Sequence, residues 1–425
     1  MRKNKVDIIT LGCSKNLVDS EQLMRQFVAN GYTVEHDPHK INGEIVVVNT
    51  CGFIGDAQEE SINMILELGE AKKKGKIGQL YVMGCLTERF LEEMKQELPE
   101  VDRFYGKFNW KQLLTDIGKS YHRELASDRV LTTPKHYAFL KIAEGCNRTC
   151  SYCAIPFARG RERSLKYDQV LSIAQELVKK GHSEIVLTGI HTGRYKDGSL
   201  KLADLLKGLL ESTPDTVYYR ISSIEITEVN HDLIDLMKEN RRICRHLHIP
   251  IQSACDETLK RMHRPYTVDE FKEHVAWIRK ELPDISISTD VIAGFVQESD
   301  QEFETTYNNL ADIAFSFLHV FPYSKRNGTA ASQMKGEVNG KIAKERVAKL
   351  LALSKQLRLN DMKRFQPVEV LIEKHEGNVY TGYTNQYHPI RIESDTPLEG
   401  RVTLRWTSID EDGYLVRKVD ENAIK

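Results

Sequence analysis

Short apolar runs alternate with amphipathic stretches along the first 125 residues. Residues 6–11 (VDIITL), 44–48 (EIVVV) and 79–83 (QLYVM) read as buried strands, and helical periodicity covers 17–29, about 57–74 and 87–98. This alternation predicts a parallel sheet with helices on its faces. The pattern resumes further on: strand candidates at 184–187, 217–221, 246–251, 286–292 and 315–321 are separated by helical stretches such as 167–180, 200–210 and 268–282. With the apolar run before Cys146 they make six strand–helix units. That is the pattern of an incomplete (β/α)6 barrel, whose functional residues lie at the C-terminal strand ends. From about residue 367 the helical periodicity stops. Five short strands, 368–373, 380–383, 389–392, 400–406 and 414–419, predict a small β-barrel, with Gly377, Pro397 and Gly413 in its turns. The expected fold class is α/β, in three domains over residues 1–125, 134–365 and 366–425.

The chain has 425 residues and a net charge of -1, so charge has to be read locally. No apolar run approaches the roughly 18 residues of a membrane span, and the N-terminus lacks a signal-peptide pattern. A cytoplasmic protein without a membrane partner is expected. Eight cysteines are too few for a disulfide scaffold at this length and point to metal or redox chemistry.

One cysteine follows each of the first three apolar runs: Cys13 in TLGCSKN, Cys51 in VNTCGF and Cys85 in VMGCLTE. Parallel strands end on one edge of a sheet, so three residues distant in sequence converge there. Glycines beside them (Gly12, Gly52, Gly84) let backbone approach a bulky inorganic group. Three buried structural thiols are the plainer reading. Zinc is a rival, although a structural zinc site needs a fourth ligand and none is obvious.

Residues 141–156, KIAEGCNRTCSYCAIP, carry Cys146, Cys150 and Cys153 at C-x3-C-x2-C spacing. Three thiolates on a tight loop suit three irons of a 4Fe-4S cluster, whose usual complement is four cysteines. The open iron can chelate S-adenosylmethionine (SAM) and pass one electron to its sulfonium, releasing a 5'-deoxyadenosyl radical. A zinc knuckle is the competing reading. Thr188, Ser223, Glu225, Gln252 and Asp290 are polar residues near the ends of apolar runs, and so candidates for SAM or substrate contact. Each could equally be a satisfied core polar group. His246 and His248 alternate along one strand, with core packing the better expectation, and Cys244 and Cys255 read as ordinary thiols. Between Ser324 and Gln366 stand 11 Lys or Arg against 3 Asp or Glu. That stretch reads either as a phosphate-binding stripe or as a solvated helix face.

Two cysteine triads in this order, followed by a small β-barrel, resemble the radical SAM methylthiotransferase family over essentially the whole chain. The resemblance implies an auxiliary 4Fe-4S cluster on Cys13, Cys51 and Cys85 that delivers sulfur. It also implies a SAM cluster on Cys146, Cys150 and Cys153, a C-terminal TRAM domain, and a separate electron donor (flavodoxin or ferredoxin) and sulfur donor. Up to about Ile155, LGCSKNLVDSEQ, NTCGFIGDAQEESI and EGCNRTCSYCAIP look like the ribosomal-protein branch, which modifies an aspartate. Beyond it, ARGRERS, EIVLTGIHTG, HLHIPIQSACDETLKRMHRPYT, FLHVFPYSKRNGTAA and GYTNQYHPIRI look like the tRNA branch. The second half and the basic segment favour tRNA, at the adenosine 3' of the anticodon, over the ribosomal protein. An RNA-binding protein with a relic cluster domain is the non-enzymatic alternative. Related enzymes usually have GFPGET where this chain has Gly294-Phe295-Val296-Gln297-Glu298-Ser299, which puts the geometry of that loop in question.

Overall fold

The computed structural model describes residues 1–53, 55–107 and 109–418. The first domain is a five-stranded parallel sheet in the spatial order Thr33–His36, Arg2–Thr10, Gly43–Thr50, Gln79–Gly84, Arg103–Phe104. The central strands are buried on both faces, because the helices Ser14–Ala29, Gly55–Lys73 and Cys85–Glu97 cover them. Two apolar clusters, one around Val46, Val48 and Val82 and one around Ile8, Phe27 and Val47, form the layers. Helix Ser14–Ala29 starts three residues before the expected position.

Six parallel strands form the open barrel: Tyr137–Glu144, Glu184–Gly189, Tyr218–Ile221, His246–His248, Ser286–Ala293 and Phe317–Pro322. A parallel bridge between Tyr219 and Ile243 joins the first three to the last three. The sheet does not close between its first and last strands. The expected six-unit barrel is thus present, with the strand at 246–251 shortened to His246–His248. Its interior is hollow. Phe139, Val186, Arg220, His246, Ser288 and Phe317 face a cavity of about 690 Å³. His246 and His248 therefore line this space instead of packing into the core. Ser288 Oγ lies 2.9 Å from a ring nitrogen of each.

The C-terminal domain is a curled six-stranded sheet, with Ser408–Ile409 added to the five expected strands. Its last strand is Leu415–Arg417, and Val419, expected in that strand, lies outside the described residues. The sheet's turn at 384–388 reaches the barrel cavity. There Tyr387 takes a left-handed φ of 68°, stacks 5.2 Å from His246 and lies under the Arg220 guanidinium. Glu184 anchors this docking by pairing with Arg220 (2.7 Å) and with Arg401 of the C-terminal domain. Burial alone would raise the Glu184 carboxyl, but the two guanidinium groups outweigh it and hold it at about 2. The pair therefore stabilises the fold fully above the free carboxyl value of about 4.3, and that contribution is lost as pH falls toward about 2. Glu184→Gln leaves two buried guanidinium groups uncompensated. It is expected to destabilise the docked C-terminal domain by about 3–5 kcal/mol, read as a lower urea midpoint at pH 7 that converges on wild type at acid pH.

The basic segment explains itself once folded. Arg326 and Arg346 are buried or nearly so, and Arg346 binds Glu298 and Asp300 at 2.7 Å each. Lys325, Lys349 and Arg364 pair with Glu337, Glu304 and Asp361, and Arg358 lines the cavity over Phe317. Five of the eleven cations thus meet acidic or backbone partners and a sixth, Arg358, faces the cavity, so the segment is not a continuous phosphate-facing stripe. In the 294–299 loop, Gln297 adopts φ 64°, where glycine would be unstrained. Backbone and side-chain bonds of 2.8 Å to Gly336 and Lys335 hold it there.

Candidate active site

Cys13, Cys51 and Cys85 follow three strands that are neighbours in the sheet. Gly12, at φ 92°, sits so close that a Cβ there would fall 2.7 Å from Cys51 Cβ. Asn16 ties the strand ends together: its amide donates to the carbonyls of Leu11 (2.9 Å) and Thr50 (3.1 Å). Its Oδ1 accepts from Arg159 Nη2 at 2.6 Å and lies 3.8 Å from Cys85 Sγ. Burial pushes the Cys85 thiol up to about 12 and raises Cys51 as well. Ligation would therefore release protons.

The second triad sits on the loop after Tyr137–Glu144. Backbone bonds set its shape: Cys146 N to Gly160 O, Ser151 N to Met262 O and Cys153 N to Cys150 O, each 3.1 Å. Tyr152 anchors the loop in an apolar patch with Met262, Ile292 and Phe295. Each thiol faces a basic side chain. His191 Nδ1 lies 3.7 Å from Cys146, Arg264 Nη1 lies 3.6 Å from Cys150, and Arg326 lies within Coulombic range of Cys153. Burial pushes Cys153 up to about 11.

Both triads fit an anionic, sulfide-bearing group. The Nε–H groups of Arg159 and Arg326 are buried without an acceptor among the described residues. Arg159 is within Coulombic range of Cys13 and Cys85, and Arg326 of Cys153 and Cys51. Spare donors beside soft thiolates match the sulfur atoms of an iron–sulfur cluster.

The two triads share one interface. Arg89 donates to Gly52 O (2.6 Å) in its own domain and to Asn327 O (3.1 Å) in the barrel. Beside it lies a buried charge cluster. Lys107 meets Glu144 (2.6 Å) and Asp19 (3.3 Å), Lys141 pairs with Asp19, and Arg159 with Glu144 (2.8 Å).

The five polar candidates divide. Glu225 is bound by Arg264, the residue facing Cys150. Asp290 lines the cavity, 3.1 Å from His248 Nε2. Gln252 holds φ 70° and joins the strand of Asp290 through backbone bonds of 2.9 and 2.8 Å. Thr188 is fully buried, its hydroxyl 3.0 Å from Ser14 of the first domain. Ser223 contributes its carbonyl to the Thr192 hydroxyl. Sequence reasoning missed Lys15, Asn16, Arg159, His191, Arg264 and Arg326. The available signals were local: Lys15 and Asn16 stand two and three residues after Cys13, and the other four fall within the stretches that carry the family resemblance.

A hollow (β/α)6 barrel with a three-cysteine loop at its first strand end defines the radical SAM class. The Radical SAM superfamily model matches residues 140–310, and the model of Uncharacterized protein family UPF0004 matches 5–106. The chain is 50% identical over 411 residues, 94% of each chain, to the ribosomal protein uS12 methylthiotransferase RimO of Parabacteroides distasonis. It is 45% identical over 395 residues to the RimO of Porphyromonas gingivalis, covering 92% of this chain and 91% of that one. Among solved structures, the radical SAM methyltransferase TsrM of Kitasatospora setae superposes with a TM-score of 0.57 at 12% identity, over 78% of this chain and 77% of that one, a likeness of fold alone. The chain belongs to the radical SAM methylthiotransferase family, in its RimO branch. It is an enzyme that uses SAM and 4Fe-4S clusters and acts on a macromolecule.

The expectation of a tRNA adenosine substrate is overturned. The RimO relatives match both halves of the chain, through the stretches that looked tRNA-type. The basic segment that favoured RNA spends much of its charge on internal partners, which a count along the sequence does not register. No helix among the described residues is long and apolar enough to cross a membrane.

Proposed function

We propose that this enzyme inserts a methylthio group at an aspartate side chain of ribosomal protein uS12, in the cytoplasm. The observation that carries the reading is the 50% identity, over 94% of both chains, to a protein named as a ribosomal protein uS12 methylthiotransferase; the aspartate is what the resemblance to that branch implies. In this reading Cys13, Cys51 and Cys85 hold the sulfur-delivering cluster, and Cys146, Cys150 and Cys153 hold the SAM cluster. When bound, the latter supplies the electron that cleaves SAM. The chain's own part is positional. Arg159 and Asn16 brace the first triad, and Arg264, held by Glu225, braces Cys150. Thr188, Ser223, Gln252 and Asp290 stand as candidate contacts to SAM or substrate. Residues 1–125, 134–365 and 366–425 are the three domains, the last TRAM-like. A flavodoxin- or ferredoxin-type reductant and a separate sulfur donor complete the system. Anaerobic incubation of reconstituted enzyme with SAM, reductant, sulfide and uS12 is expected to add one methylthio group to one aspartate-containing peptide, read by mass spectrometry. Unmodified uS12 alongside rapid SAM cleavage would overturn this reading.

A further inference from the structure

Two cations on the barrel cavity, Lys15 and Arg358, form no salt bridge among the described residues. Lys15 is half-buried, lines the cavity beside Cys13 and makes no hydrogen bond or ion pair among the described residues; the carboxylates of Asp290 and Glu144 act on it only at longer range. Arg358, toward the C-terminal domain, has among the described residues the face of Phe317, 5.1 Å away, and no carboxylate partner. The third cation, Arg220, is bound by Glu184. One carboxylate lines the space, that of Asp290, and His248 engages it at 3.1 Å. An ammonium held out of bulk water without a partner is costly, and a ligand carboxylate supplies what this wall lacks.

We propose that Lys15 is the specificity-determining anchor for the carboxylate of the substrate side chain. This rests on the aspartate reading of the substrate given above. Lys15 is two residues from Cys13, so an anchored carboxylate lies beside the first triad. The carbon bearing the reacting C–H in aspartate is directly bonded to its carboxyl carbon. Fixing the carboxylate on Nζ at about 2.8 Å therefore fixes that carbon as well. A neutral amide in the same place makes a weaker hydrogen bond and leaves the ammonium unneutralised.

The test uses reconstituted holoenzyme and two forms of uS12, one natural and one with asparagine at the modified aspartate. Wild-type enzyme is expected to bind the natural form about ten- to a hundred-fold more tightly than the asparagine form. Lys15→Gln is expected to reduce that preference to about threefold or less, and Lys15→Arg to restore most of it. Iron content and the cluster spectra report separately on the first triad. Loss of its cluster in both variants would assign Lys15 to cluster support and overturn the proposal. Wild-type enzyme without a preference, or a preference undiminished in Lys15→Gln, would overturn it while uS12 modification stood. Failure of the wild-type enzyme to bind or modify uS12 at all would instead sink the substrate reading, and this inference with it.

Discussion

Cys150→Ala is expected to abolish 5'-deoxyadenosine formation while the first domain keeps its iron. Two thiolates do not hold an open-iron cluster stably, so iron should fall from about eight to about four per chain. The loop itself should survive. Its bends are fixed by backbone bonds from Ser151 to Met262 and from Cys153 to Cys150, and Tyr152 stays in its apolar seat. Arg264, which faces the Cys150 sulfur, keeps Glu225 as its partner. The loss is then chemical and not a collapse of the fold. Anaerobic reconstitution, iron analysis and chromatographic detection of 5'-deoxyadenosine are the measurements. Undiminished SAM cleavage would remove this loop from the chemistry.

Cys51→Ala is expected to separate the two halves of the reaction. Here 5'-deoxyadenosine continues to form, because the second triad is intact, but methylthiolated product disappears. Cys51 is buried; its sulfur accepts from the Phe53 backbone, but its own amide and carbonyl are held by another residue. The Ser61 hydroxyl lies 3.2 Å from the Cys51 amide and 3.3 Å from its carbonyl. Alanine keeps the Cβ that packs against Gly12 and removes only the sulfur. Full product from this variant would exclude the first domain as the sulfur site.

Both cysteine triads were legible because each rests on short-range pattern. A cysteine directly after an apolar run is a strand-end residue, and C-x3-C-x2-C is complete within eight positions. The barrel strands were legible through one face, where Leu140, Ile185, Leu187, Leu247 and Ile287 pack under the helices, while the other face meets the cavity. What brings the cysteines together was not readable residue by residue. Arg159 reaches Asn16 across 143 positions, and Arg89 reaches Asn327 across 238. Nothing in local periodicity announces such contacts. The basic segment misled for a related reason: Arg346 finds Glu298 and Asp300 more than 45 positions away. Alternation along the strand gives His246 and His248 a shared face, but not whether that face meets packing or open space.

The buried charges between the first domain and the barrel bear on how such chains can be recombined. Asp19 and Lys107 come from one domain, and Lys141, Glu144 and Arg159 from the other; their side chains neutralise one another out of water. Asp19 and Lys107 also pair with each other, whereas the barrel sets two cations, Lys141 and Arg159, against the single carboxylate of Glu144. A barrel joined to a foreign first domain must find a carboxylate in place of Asp19, or it strands a cation in a dry junction at a cost of several kcal/mol. Inheritance of the two halves is thereby coupled. A crossover placed between residues 19 and 144 splits this set, whereas one beyond Arg159 carries it over whole.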